Sequence, residues 1–140
     1  MDKEDASVNE EDTSTNQVSP RWFIDLDWYQ QSNRSFSTLA QSCLCPKCRE
    51  RLKEGEISPE NLFTTIKDCC SQTPDFIADN LPILERIFRL FLANGNHPLD
   101  LEELGEQLRK WHSGIYPIST GVLSRLLEGD QYYGLRQTSS

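Results

Sequence analysis

Cys43-Leu44-Cys45-Pro46-Lys47-Cys48, read with the adjacent pair Cys69-Cys70, is the stretch that decides how this chain folds. These are all five cysteines in 140 residues. A Cys-Pro-Lys-Cys turn lets two thiolates converge on one ion, because the backbone amides between them partly screen the sulfur charge. Cys43 offers a third sulfur and either Cys69 or Cys70 a fourth, with His112 a distant substitute. Four thiolates in a tetrahedron are the shell that structural Zn²⁺ prefers. The candidate ligands are therefore Cys43, Cys45, Cys48, Cys69 and Cys70, with the fourth place open between the last two. An iron–sulfur cluster also takes four thiolates. The long gap between Cys48 and Cys69 fits a split zinc knuckle better than a compact ferredoxin run, so zinc is preferred.

Other uses of the thiols fit less well. An odd cysteine count leaves one unpaired in an oxidising compartment. No apolar signal-peptide core precedes the cysteines, and Met1 leads into an acidic stretch. A reducing cytosol is the expected compartment. Ile66, Cys69 and Cys70 can share one apolar helix face, so one of the pair is expected in the core. No apolar run approaches the length needed to span a bilayer; the most apolar segment, 81–93, carries Glu85, Arg86 and Arg89.

The net charge of −8 is unevenly spread. Residues 1–20 hold six acids against one base, and the rest of the chain 16 acids against 13 bases. That first stretch has almost no apolar side chains to offset its ordering entropy, which reads as a disordered acidic leader. Its simplest role is solubility; competition with nucleic acid for a basic partner surface is the sharper one.

After Pro20 the composition changes. Trp22, Phe23, Ile24, Leu26, Trp28 and Tyr29 crowd into a few positions that fit neither a helical nor a strand period cleanly. A short helix over 25–31 that covers a core is expected, since apolar patches of that size are rare on soluble monomers. Asn33 reads as the N-cap of a helix over 35–41 that delivers Cys43. Ser58-Pro59-Glu60 is a strong helix start, running to about Ser71 and ended by Thr73-Pro74. A knuckle after one helix is thus clipped to the last turn of another, closing a long loop and adding folding energy directly.

Beyond residue 80 three helices are expected. Pro82 opens the first, with Ile83, Leu84, Ile87, Phe88, Phe91 and Leu92 at three- and four-residue steps. Gly95 suits the left-handed position after it. Asp100 and Glu103 form a capping-box-like pair for the second, which carries Leu101, Leu104, Leu108 and Trp111. Ser119 caps the third, and residues 131–136 read as a short strand. Asn96-His97-Pro98-Leu99-Asp100-Leu101-Glu102-Glu103-Leu104 resembles the entry to the second helix of winged helix-turn-helix domains. The following helix and Tyr132-Tyr133-Gly134-Leu135-Arg136 are similar to the third helix and first wing strand of that fold. The resemblance covers about residues 81–136 and implies fold rather than chemistry. Pro98-Leu99 is a candidate strand to pair with the terminal one.

Recognition of DNA needs several cations aimed at phosphates. The third helix offers only Arg125, and residues 81–140 hold six bases against seven acids. A second basic run, Lys47, Arg49, Arg51 and Lys53, lies beside the knuckle with Glu50, Glu54 and Glu56 interleaved, as on a solvated face. Catalysis has little support: His97 and His112 neighbour no nucleophile, no phosphate loop is present, and thiolates quench the Lewis acidity of a bound ion.

The expectation is a mainly α protein: leader 1–20, Cys-rich metal-stapled helical module 21–80, winged-helix-like three-helix unit with a short strand or wing 81–136, and tail 137–140, the two modules being free to pack as one. Its expected function is non-enzymatic, regulatory or scaffolding, docking on a protein or nucleoprotein machine such as the transcription apparatus, with no membrane partner. Trp22, Trp28 and Trp111 are the candidate partner-binding residues. Direct nucleic-acid binding through the Lys47–Lys53 run and Arg125, and a thiol redox sensor, are the alternatives.

Overall fold

The computed structural model describes residues 20–51, 58–73, 76–78, 80–111 and 118–138. The acidic leader up to residue 19, Lys53 and His112 lie outside them. The described chain is mainly helical. Its order is β1 (Arg21–Ile24), α1 (Leu26–Gln31), α2 (Phe36–Gln41), α3 (Pro46–Arg51), α4 (Pro59–Asp68), a 3₁₀ turn (Cys70–Gln72), α5 (Ile83–Ala93), β2 (Leu99–Asp100), α6 (Leu101–Trp111), α7 (Thr120–Glu128) and β3 (Leu135–Gln137).

The aromatic stretch fits no single period because it spans two elements. Trp22 and Ile24 alternate inward on β1, and a helix begins two residues later. Asp25 makes the switch: it caps α1 by accepting from the Asp27 amide at 3.1 Å. At the next helix the cap is Ser35 rather than Asn33. Ser35 Oγ accepts from Thr38 N at 3.1 Å, whereas Asn33 takes a left-handed turn at φ 58°. Asparagine tolerates that conformation better than most side chains. Ser58 and Ser119 cap α4 and α7 as their sequences indicate. The Asp100–Glu103 capping box closes in both directions, at 2.8 and 3.0 Å.

The sheet order is β2-β1-β3, antiparallel throughout. Trp22 faces both Leu99 and Gln137, and Ile24 faces Leu135. The strands on either side of α6 and α7 therefore do not pair with each other; β1, from the start of the described chain, lies between them. The terminal strand is also shorter and later than expected, taking in Gln137 but not residues 131–134. Those residues instead form a turn around Asp130, whose carboxylate accepts from the amides of Tyr132, Tyr133 and Leu135 at 2.9–3.0 Å.

Residues 21–80 and 81–136 contribute to one hydrophobic core. Phe36 links the two stretches, with ring centroids 5.4 Å from Tyr29 and Phe63 and 6.2 Å from Phe88. Asn96 clamps β1 from the far side: its side-chain oxygen accepts from Ile24 N at 2.8 Å and its amide donates to Ile24 O at 2.9 Å. The side chain thus supplies both hydrogen bonds that another strand would offer.

Candidate metal centre

Two short backbone segments build the centre. On one side, α3 starts at Pro46, a residue that fits the first turn because its missing N–H would go unused there. The Cys45 carbonyl accepts the first helical bond from Arg49 N at 2.8 Å. This fixes Cys45 at the helix entrance and Cys48 one turn along, on the same side. On the other side, α4 ends at Asp68. Cys69, at φ −126° and ψ −65°, has left helical geometry, and a 3₁₀ turn begins at Cys70. Consecutive residues of an α-helix point about 100° apart. The break at Cys69 is what brings both neighbouring sulfurs to one place.

The Sγ atoms of Cys45, Cys48, Cys69 and Cys70 all lie within 4.8 Å of one another. Cys45 and Cys69 are 3.9 Å apart and Cys48 and Cys69 2.9 Å apart. A zinc–sulfur bond of about 2.3 Å sets the edge of a tetrahedral shell at roughly 3.8 Å. Seating an ion therefore asks these sulfurs to shift by roughly an ångström or less. Cys48 and Cys70 are buried, while Cys45 and Cys69 are partly exposed.

The surroundings suit a shell of negative charge. Cys45 N donates to Cys70 Sγ at 3.2 Å, and Arg51 Nη2 reaches Cys48 Sγ at 3.7 Å. Burial opposes ionisation of Cys45, but the Cys48 backbone amide and the neighbouring thiols outweigh it and bring its thiol down to about 7. Burial pushes the Cys48 and Cys70 thiols up, with the Cys69 thiol adding to the rise at Cys48. Loading a metal must expel protons from these two, so affinity should rise with pH.

Cys43 stands apart from the centre, contrary to the sequence-based ligand set. It is 5% exposed, its Sγ turned to Leu39 O at 3.8 Å within its own helical turn, and burial holds its thiol above the usual range. It packs in the core away from the centre, whereas Cys69 and Cys70 are both in the centre and Cys70, 0% exposed, is also part of the core. The helix break at Cys69 is a tertiary outcome with no clear sequence marker, so the pair reads as alternatives until the backbone is seen.

The basic run beside the knuckle is largely engaged. Arg49 Nη2 donates to Leu44 O at 2.9 Å and to Ser42 O at 3.4 Å, holding the turn between α2 and α3. Arg51 reaches the Cys48 sulfur, and Lys47, Arg49 and Arg51 are all exposed residues. Arg125 is exposed on α7, far from it in sequence. Of the tryptophans, Trp22 is 4% exposed and belongs to the core. Trp28 is half-buried, with the Arg34 and Arg136 guanidiniums 5.9 and 5.2 Å from its ring centre. Trp111 is half-buried with its ring 6.3 Å from Phe76. The surface residue that sequence reading passes over is Tyr132, 49% exposed, with the Arg34 guanidinium 4.7 Å from its ring centre. The aspartate before Tyr132-Tyr133 marks the turn that turns this ring outward.

No described helix is long and apolar enough to cross a membrane. The chain matches no protein-family model, no curated protein and no solved structure.

Proposed function

We propose that this protein is a small zinc-stapled module that docks on a protein or nucleoprotein machine, with transcription the process that the helix-turn-helix resemblance favours. One observation carries the metal part: four cysteine sulfurs, from two separate segments, within 4.8 Å of one another. Four thiolates complete the shell and leave no position for substrate or activated water, which favours a structural ion over a catalytic one. Zinc is preferred for the mixed knuckle-and-pair spacing.

The docking part draws support from the Tyr132, Arg34, Trp28 and Arg136 surface, since tyrosine, tryptophan and arginine dominate the energetic centres of protein interfaces. Engagement of Arg49 and Arg51 with their own fold favours this reading over direct nucleic-acid binding. The three-stranded sheet beside α5, α6 and α7 is compatible with a wing whose returning strand is β1.

Elemental analysis of protein purified without oxygen should give one zinc per chain with no visible absorption. Brown protein carrying iron and sulfide would replace the zinc reading with a cluster. Heparin should retain the protein weakly; firm retention lost steeply with salt would favour the nucleic-acid alternative. A photo-crosslinking residue at position 132 should give a discrete adduct in cells that Arg34→Ala abolishes. The same adduct from exposed position 67 would contradict the proposed surface.

A further inference from the structure

The four sulfurs are not equivalent, and their arrangement bears on what an oxidant would do to them. Two are buried (Cys48, Cys70) and two are partly exposed (Cys45, Cys69). Of the exposed pair, Cys69 has a buried sulfur in contact, Cys48 Sγ at 2.9 Å. Cys45 Sγ stands 3.9 Å from Cys69 Sγ and within 4.8 Å of the Cys48 and Cys70 sulfurs. Cys69 and Cys70 are poor partners for each other, because adjacent Cα atoms across a trans peptide stand about 3.8 Å apart. An unstrained disulfide spans about 4.4 Å or more. Oxidation is therefore steered across the centre, from the end of α4 to α3.

We propose that Cys69 is a hydroperoxide-reactive thiol with Cys48 as its resolving partner, so that the centre exchanges its metal for disulfides without losing the fold. This rests on the metal reading above and adds its regulation. The Cys69 thiolate attacks one oxygen of the peroxide; an S–O bond forms, the O–O bond breaks, and hydroxide leaves, giving a sulfenic acid. The Cys48 thiolate then attacks that sulfur; the S–S bond forms, the S–O bond breaks, and a second hydroxide leaves. The two sulfurs give up two electrons, the peroxide accepts them, and solvent protons turn both hydroxides into water. A bound ion would then have lost two of its four ligands and would be released. A second peroxide joins Cys45 to Cys70, whose sulfur already sits 3.2 Å from Cys45 N.

Either crossed bridge ties α3 to the end of α4, as the metal does. A Cys45–Cys48 bridge would instead close within α3 and release α4. The oxidised chain therefore keeps its architecture while the metal becomes available elsewhere.

The test uses full-length zinc-loaded protein, its metal content measured first, treated with hydrogen peroxide. Zinc release is followed with a chromogenic chelator, bridges are mapped by mass spectrometry without reduction, and melting is followed by circular dichroism. Complete release, a Cys48–Cys69 bridge forming first, and a retained cooperative melt are the expected results. Retained zinc, a Cys45–Cys48 bridge, or loss of the helical signal on oxidation would each overturn the proposal. In Cys48→Ser a sulfenic acid should persist at Cys69 and be trapped by dimedone; trapping at Cys45 instead would overturn the assignment. Should that variant not fold, the bridge map of the unaltered chain still decides. A chain that holds no zinc before peroxide is added defeats the metal reading separately, and its bridge map then tests the Cys48–Cys69 pairing by itself.

Discussion

Asp130 is the buried acid of the described core, 2% exposed, and its carboxylate gathers three backbone amides with the Arg136 guanidinium 3.7 Å away. Each of those amides would be stranded by its removal, and an unsatisfied buried donor costs about 1–3 kcal/mol. Asp130→Ala should therefore lower the unfolding free energy by about 3 kcal/mol or more in urea titration. A loss below about 1 kcal/mol would mean that water replaces the carboxylate. Tyr29 depends on the same turn through its hydroxyl, which donates to Tyr133 O. Burial, and then the Asp130 charge, hold the Tyr29 phenol well above the ordinary tyrosine range. Burial and the Glu85 charge push Tyr133 up to about 12. An unfolded tyrosine ionises near pH 10. Above that pH the unfolded chain gives up protons that the folded chain keeps, so stability is complete below about pH 10 and falls as pH rises beyond it. Tyr29→Phe should flatten this alkaline decline in unfolding free energies measured across it. An unchanged slope would place the decline elsewhere. The turn at Asp130 is legible in the sequence, since Gly129-Asp130 is turn chemistry. Its burial is not, because that depends on Tyr29 and Leu135 meeting there from opposite ends of the chain.

At the scale of elements, α4, α6 and α7 start where capping chemistry puts them, at Ser58, Asp100 and Ser119, while α5 follows Pro82 with no side-chain cap. Local signals suffice there because a cap is a contact between residues a few positions apart. What local signals miss is long-range. Nothing in Arg21-Trp22-Phe23-Ile24 says that its partners are residues 99–100 and 135–137. Likewise, α4 stops at Asp68 rather than running on to about Ser71, and that stop decides which cysteines can meet. Cys45 and Cys48 are legible as ligands from their spacing alone, whereas setting Cys43 aside takes the turn that points it at Leu39. Asn96 joins the two scales, holding β1 through both hydrogen bonds to Ile24. Asn96→Ala should cost about 2 kcal/mol, at roughly 1 kcal/mol for each bond lost. Amide hydrogen exchange should quicken at Ile24 and leave Ile66 in α4 protected. Equal quickening at both would show that β1 opens only with the whole fold.

For the whole molecule, the central relation is between one shared core and one staple. The core joins β1, the helices on both sides of the centre and the terminal strand. A metal held at the centre would add a link between positions 21 residues apart, Cys48 and Cys69, to the packing that Leu62 and Ile66 of α4 already give the core. Metal bound only by the folded chain stabilises it by mass action. A tight chelator should therefore lower the melting temperature, and restored zinc should recover it. The ligand set is the point on which the account turns, and X-ray absorption of the zinc-loaded chain and of two variants tests it most directly. Four sulfur ligands at about 2.3 Å, unchanged in Cys43→Ser and reduced or lost in Cys70→Ser, are the expected result. A shell with fewer than four sulfurs, or one that needs Cys43 and tolerates loss of Cys70, would contradict it.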